Sequence, residues 1–391
     1  MNKTISNSIV YNINENRVLG SVDGSKNSPT VIIFAGIHGN EVAGVKASKI
    51  VLHKIKENNI SFNGNLFVLL GNINAIKKDI RFEDIDLNRI WNKENIHTNL
   101  KYVISDIAEI KEQFELYSEI KLIMKNNKGP FYFLDLHTTS AHSVPFITIS
   151  DSLNNRKFSK KFLLPVVLGI EEYLDGPLLT FINEFGYIAL GFEGGQHHDD
   201  GSIANCEAFI WKALVHSKCV QKKNIPDYKK YKLHFTDLCC KYDFFEIIYR
   251  FAIRRDDQFI MNPGFKNFEP VKKDQVLAKN NDLYILANEN SRIFMPLYQK
   301  QGEDGFFLLS KISKFWLNSS IIARKLKINH FLRLIPGVIK DPDNDYTLIV
   351  DPKIAKYMAK EIFHLFGYRK QIFKDDKFHF IKRDRKKTEL I

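Results

Sequence analysis

What most narrows the fold is a regular alternation, from residue 30 to residue 219, of short β-branched and aromatic runs with longer amphipathic stretches. The run TVIIFAGIHGN, starting at Thr30, reads as a buried strand stopped by glycine, and EVAGVKASKIVLHKI after it has helical spacing. NLFVLLGNINA is a second strand. In KYVISDIAEIKEQFELYSEIKLIMKNN, Val103, Ile107, Ile110, Phe114 and Tyr117 recur every three or four residues, which predicts an amphipathic helix. FYFLDLH, PFITIS and YIALGFEGG are further strands, and ANCEAFIWKALVHSKC predicts a helix closing this part. Strands alternating with helices imply an α/β layer architecture, with functional loops at the strand ends. With 391 residues, 44% of them apolar and 13% aromatic, the chain can fill a sizeable core.

After Pro226 the pattern changes to FFEIIYRFAI, FEPVKKDQVLAK, DLYILANENSRIFMPLY and FFLL, separated by Asn, Gly, Asp and Pro. These are short β segments joined by turns. The expected division is an α/β catalytic domain over 1–225, a mostly β domain over 226–310, and a mixed basic extension over 311–391. In the last segment DPKIAKYMAKEIFHLFGYRK predicts a helix ended at Gly367. Much of the formal charge of +12 sits there, in ARKLK, GYRKQ and IKRDRKK, without a nucleic-acid motif. A solvated basic face and a frayed tail are expected, and no nucleic-acid partner. Cys206, Cys219, Cys239 and Cys240 contain no Cys-x-x-Cys pair, and adjacent Cys239 and Cys240 read as small buried apolar groups. The N-terminal residues lack an apolar signal core, and FLLPVVLGI is far too short to span a bilayer. A soluble, cytoplasmic protein with no membrane partner is therefore expected; a homo-oligomer is left open.

His38, at a strand end, and Glu41, three residues on where the chain enters a helix, can aim an imidazole and a carboxylate at one point. Gly39 removes a side chain that would crowd the turn. His137 ends the strand FYFLDLH, and neighbouring parallel strands would bring the two ends together. Two histidines and a glutamate are a set that catalytic zinc uses with a fourth position open. The same ligands suit iron, cobalt or manganese. Asp135 shares the strand face of His137 and can accept from a ligand imidazole. Taken alone, His-x-x-Glu more often marks an ordinary loop than a metal ligand.

Between the histidines lies Arg81-Phe82-Glu83-Asp84-Ile85-Asp86-Leu87-Asn88-Arg89. Its guanidiniums and the Asn88 amide suit a carboxylate or a developing oxyanion; the alternative is a charged loop with internal pairs such as Arg81 to Asp84. Glu193 follows the apolar run YIALGF and precedes two glycines. Half surrounded by apolar groups, it is a candidate general base, and otherwise a surface glutamate.

Together, HGNE with its preceding strand, RFEDIDLNRIW, FLDLHTTSA and GFEGGQH make residues 30 to 200 resemble the succinylglutamate desuccinylase/aspartoacylase family of zinc carboxypeptidase-like enzymes. The resemblance implies a mixed central sheet flanked by helices and a C-terminal β domain that narrows the active site. It implies one zinc ion on His38, Glu41 and His137, with Arg81 polarising the scissile carbonyl. Asn88 and Arg89 would hold a carboxylate of a small substrate, and Glu193 would activate water. Met295 to Phe307 falls where such a β domain reaches back, and there Glu303 or Tyr298 either touches substrate or belongs to a turn with a packed tyrosine; His197 and His198 after the base read as loop residues, with site-lining by His197 as the alternative. One departure stands out: aspartoacylases carry an arginine about ten residues before the base, where this chain has Asn183 and no arginine from 157 to 249.

The expected function is hydrolysis of the amide bond of an N-acyl amino acid or related small substrate. Two rivals are a zinc carboxypeptidase acting on short peptides and a non-catalytic module holding a polyanion on its basic tail.

Overall fold

The computed structural model describes residues 9–10, 16–93, 95–96, 98, 106–237, 243–354 and 360–390. Cys239, Cys240 and Val103 lie outside them, as do residues 355–359 of the helix predicted before Gly367.

The first part contributes strands β1 (Ile9–Val10), β2 (Val18–Val22), β3 (Thr30–Ala35), β4 (Asn65–Leu70), β5 (Phe131–Thr139), β6 (Phe146–Ile149), β7 (Val166–Leu168) and β8 (Ile188–Gln196). Its helices are α1 (Ala43–Glu57), α2 (Ile73–Lys78), α3 (Ala108–Asn126), α4 (Leu153–Ser159), α5 (Leu178–Glu184) and α6 (Asp200–His216). At the centre β4, β3, β5 and β8 run parallel, whereas β6 is antiparallel to β8. The sheet is therefore mixed, and helices cover both its faces.

Side-chain alternation decides which face each residue meets. Val31 and Ile33 of β3 pack with Val51, Ile55, Phe209 and Leu214 of α1 and α6, while Ile32 and Phe34 pack with Leu116, Ile120, Phe181 and Ile182 of α3 and α5. Burial on both faces explains why these strands read as unbroken apolar runs. The same alternation puts Leu134, Leu136, Leu190 and Phe192 on the α1 side and Phe131, Phe133 and Ala189 on the α5 side. By period two, Asp135, His137, Gly191 and Glu193 continue that second face.

Around residue 226 the short helix α7 (Tyr228–Leu233) precedes β9 (Phe244–Ala252), which pairs in parallel with β7. Then come β10 (Phe259–Met261), β11 (Pro270–Val271), β12 (Val276–Asn280), β13 (Leu283–Leu286), β14 (Ser291–Phe294) and β15 (Asp304–Lys311). Strands β9, β15, β14 and β11 extend the first sheet, giving twelve strands in the order β1-β2-β4-β3-β5-β8-β6-β7-β9-β15-β14-β11. Strands β10, β12 and β13 form a separate sheet. The segment is thus mostly β, and its strands lean directly on the α/β part.

The last segment folds as α8 (Lys314–Lys325), a 3-10 turn (Ile328–Leu334), β16 (Val338–Lys340), β17 (Thr347–Val350), α9 (Lys360–Leu365), β18 (Tyr368–Lys374) and β19 (Lys377–Lys382). Its antiparallel sheet, in the order β16-β17-β19-β18, has its own core of Leu332, Leu348, Val350, Phe363 and Phe380. The expected solvated face and frayed tail are corrected here. Arg324 and Arg369 are buried and meet Asp151, with Arg324 Nη2 at 3.0 Å and Arg369 Nε at 2.9 Å, beside Arg156 of α4. Arg369 Nη1 also donates to Glu172 Oε1 at 3.0 Å. A desolvated arginine survives only when paired, so these cations cross-link segments instead of decorating a surface. Residues 383–390 return to the α5 end: Thr388 N donates to the Phe185 carbonyl at 3.1 Å and Arg385 Nη1 to that of Glu184 at 3.2 Å. No helix among the described residues is long and apolar enough to cross a membrane.

Candidate metal centre

Three strand ends build the centre. Strand β3 delivers the loop with His38 and Glu41, and adjacent β5 and β8 place His137 opposite Glu193 in register. Gly39 is required sterically, because a Cβ there would sit 2.1 Å from the Ala75 carbonyl carbon at α2.

His38, Glu41 and His137 are all buried, and each offers a ligand atom within 4.8 Å of the others. Glu41 lies between the rings, with Oε1 2.8 Å from His38 Nδ1 and Oε2 2.9 Å from His137 Nδ1. Thr138 N also donates to Glu41 Oε2, at 3.0 Å. Each imidazole turns its other nitrogen to an aspartate: His38 Nε2 is 3.1 Å from Asp86 Oδ1, and His137 Nε2 is 2.7 Å from Asp135 Oδ2. The second contact is an ion pair lying off the N–H direction, since neither Asp135 oxygen has an in-line hydrogen bond. A hydrogen-bonded partner such as Asp86 orients a ligand imidazole and bears on its tautomer, while Asp135 contributes charge beside His137.

Burial works against charge on Glu41, yet the two histidines outweigh it and hold the carboxyl well below the usual range. Asp86 is likewise buried and held well below it by His38 and Arg81. For Glu193 burial wins: its carboxyl is pushed up to about 8, with Glu41 and Asp135 adding to the rise and His137 and Arg81 opposing it. Glu193 Oε2 is buried without a hydrogen-bond partner. Four carboxylates crowded round two imidazoles and one guanidinium, with an orphaned oxygen among them, fit a divalent cation and its water.

Arg81 does not pair with Asp84, as the charged-loop reading had it. Its Nε and Nη2 reach Asp86 Oδ2 at 3.2 and 3.0 Å, Nη1 reaches Glu41 Oε1 at 3.4 Å, and Nη2 stands 2.9 Å from His38 Nε2. Asp84 instead caps Ala108 N at the start of α3, at 2.8 Å. Asn88 accepts from Leu178 N at 2.9 Å, which leaves its NH2 outside that bond. Arg89 Nη2 donates to Asp304 Oδ2 at 3.0 Å, and Asp304 also accepts from Arg250 Nε at 2.6 Å.

The loop from Met295 to Asp304 closes one side. Gln299 Oε1 accepts from Asn40 Nδ2 at 3.0 Å and lies 3.2 Å from His197 Nε2, and Gln301 Oε1 accepts from Arg81 N at 3.2 Å. His197 lines the resulting cavity and His198 does not; of the two loop candidates, Glu303 lines it. Tyr298 is turned away, donating its hydroxyl to the Asn262 carbonyl at 2.7 Å. The cavity of about 140 Å³ contains His38, Glu41, Arg81, Asn88, Arg89 and His137 in its walls, together with Glu193. Sequence reasoning missed Asp86, Gln299, Gln301 and Asp304. Asp86 had a signal, an acid inside the polar motif two residues before Asn88; the others come from a segment over 200 residues away whose approach only the fold decides.

Residues 27–203 match the family model of the succinylglutamate desuccinylase/aspartoacylase catalytic domain. The chain is 26% identical over 148 residues to a succinylglutamate desuccinylase of Photorhabdus laumondii, covering 37% of this chain and 44% of that protein. To an aspartoacylase of Xenopus tropicalis it is 30% identical over 129 residues, 31% of this chain and 38% of the other. These matches span less than half the length of either relative. The fold is similar to that of the succinylglutamate desuccinylase of Vibrio parahaemolyticus, with a TM-score of 0.57 at 14% identity over 79% of this chain and 92% of that one. The counterpart from Chromobacterium violaceum gives 0.55 at 18%, over 75% and 88%. Four motifs in order, the match over residues 27–203 and the shared fold make that segment similar to the catalytic domain of the succinylglutamate desuccinylase/aspartoacylase family.

Proposed function

We propose that the protein is a zinc-dependent amide hydrolase acting on an N-acyl amino acid or related small substrate. The observation that carries this reading is the convergence of His38, Glu41 and His137 within 4.8 Å beside a buried, half-unpartnered Glu193. His38, Glu41 and His137 would hold one zinc ion, which when bound lowers the pKa of water and polarises a carbonyl.

Glu193, with its raised proton affinity, takes a proton from the attacking water and returns it to the departing nitrogen. Arg81, fixed by Asp86, presents fixed positive charge to the developing oxyanion. Asn88 and Arg89 orient a substrate carboxylate, and Asp86 and Asp135 keep the imidazoles in place. The loop from Met295 to Asp304, which closes one side of the site, favours a small acyl amino acid over a longer peptide.

Glu193→Gln tests the assignment. Turnover is expected to fall by about 10² to 10⁴ with zinc content unchanged by elemental analysis; near-normal turnover would refute the base. Comparing N-acyl amino acids with dipeptides and tripeptides separates the deacylase from a carboxypeptidase, which would prefer the peptides.

A further inference from the structure

Positive charge within the cavity is scarce and already committed. Histidines aside, Arg81 and Arg89 are the cationic side chains among its described walls. Arg81 is occupied by Asp86 and Glu41. Arg89 and Arg250 share Asp304, two guanidiniums around one carboxylate, which leaves a single net positive charge for one substrate carboxylate. Glu303, also in the wall, adds a further acid. Asn183 supplies no replacement, being buried and outside the walls with its Nδ2 bonded to the Tyr187 carbonyl at 3.2 Å.

The uncharged remainder of the wall combines hydroxyl groups, among them Thr148, Ser150 and Thr180, with an apolar side. Ile170, Leu174, Leu179, Met295, Leu297 and Phe307 line it, and Leu174 and Phe307 continue into the core cluster around Phe146 and Phe294. Gly191, two residues before Glu193 on the same strand face, keeps the floor open, since a Cβ there would meet Thr148 Oγ1 at 2.3 Å. Met295 holds the left-handed conformation, φ 48°, and donates its N–H to Asn267 Oδ1 at 2.6 Å. A long side chain kept in that region costs free energy, and such outliers concentrate at ligand-binding surfaces.

We propose that the substrate is an N-acyl amino acid bearing one carboxylate, held at Arg89, and an uncharged aliphatic acyl group seated against Leu174, Leu179, Met295 and Phe307. This rests on the amide-hydrolase reading. A succinyl or other dicarboxylic acyl group would bring a second anion against apolar carbon and the acids Asp304 and Glu303, with no cation free to meet it. Chain length is limited by the cavity, so short to medium acyl groups fit best.

The test holds the amine constant. Zinc-loaded protein is assayed on N-acetyl-, N-butanoyl-, N-hexanoyl- and N-succinylglycine, and kcat/KM for the better of butanoyl and hexanoyl is expected to exceed that for succinyl at least tenfold. Binding is read separately by calorimetry on zinc-loaded Glu193→Gln with butanoate, hexanoate and succinate, the monoacids expected to bind at least tenfold tighter. Succinylglycine as the best substrate, succinate as the tightest ligand, or no binding by either monoacid overturns the proposal. If nothing is hydrolysed but the monoacids still bind over succinate, the hydrolase reading falls and the apolar subsite stands. In Leu179→Arg, which places a cation at the half-buried edge of that wall, the preference for succinyl is expected to rise at least tenfold; an unchanged ratio in folded variant protein counts against the assigned position.

Discussion

At His38 the two ring nitrogens face different partners, Glu41 on Nδ1 and Asp86 on Nε2. Asp86 Oδ1 and Arg81 Nη2 both meet Nε2 and hold the ring with Nδ1 turned to the centre, so Asp86 acts on a metal through the orientation of the imidazole. Asp86→Asn is expected to weaken zinc binding by about 10- to 100-fold, as measured by competition with a chromogenic chelator; unchanged affinity would leave Asp86 a purely structural cap of Asn88 N. Zinc should also raise the melting temperature in a concentration-dependent way, because it binds only the assembled site, and His38→Ala should abolish that rise. Much of this was legible in the sequence, because His38, Glu41, His137 and Glu193 each sit beside a strand or glycine signal that fixes their position. Asp135 was legible by strand periodicity, being two residues from His137. Asp86 was legible only as one of three acids in the polar motif, since nothing in a loop's spacing shows which of them turns inward. Asp304 and Gln301 depend on a contact that no local pattern encodes.

Helices carry a second set of consequences. The C-terminal end of α6 normally favours a charged histidine, yet burial, followed by the nearby cations Lys161 and Lys212, brings His216 down to about 4. The unfolded chain therefore takes up a proton near pH 6.5 that the fold refuses, so stability declines as pH falls through 6.5 and levels off below about 4. With roughly 1.4 kcal/mol for each tenfold change in proton affinity and some residual hydration, about 2 kcal/mol should be lost. Urea midpoints at pH 7.5 and 4.5 would show this, and His216→Phe should flatten the difference. In α8 the usual distribution is inverted: Arg324 faces inward to Asp151 while Phe315 and Ile322 are 73% and 59% exposed. Arg324→Ala is expected to cost about 3 kcal/mol by leaving part of the Asp151 charge unmatched, against roughly 0.5 kcal/mol or less for Phe315→Ser. Chemical denaturation of both variants distinguishes them. This inversion was illegible beforehand, because a pattern of charges and apolar groups shows amphipathicity without saying which side meets the core. The helix within 108–126 was legible as an element but not by its buried face: Leu116, Tyr117, Ile120 and Ile123 pack on the sheet, whereas of the expected stripe Ile110 and Phe114 are half-buried and Ile107 precedes the helix.

For the whole molecule, the parallel pairing of β7 with β9 is decisive. Alternating patterns exposed the α/β part and the change to β after Pro226, but three residues of β7 inside FLLPVVLGI gave no sign that they would pass the sheet onward. The terminal segment was less legible still, because its arginines find their acids at Asp151, just before α4, and at Glu172, far away in the chain. Protein cut after residue 225 would present β7 as a bare edge and lose the wall from Met295 to Asp304. It is expected to self-associate more than the full chain at equal concentration, seen by light scattering. The return of residues 383–390 to Phe185 and Glu184 has a less obvious effect, since α5, which those residues brace, also carries Leu179 at the cavity wall. Removing residues 383–390 is expected to loosen α5 and so to alter, from a distance, which acyl group Leu179 accepts.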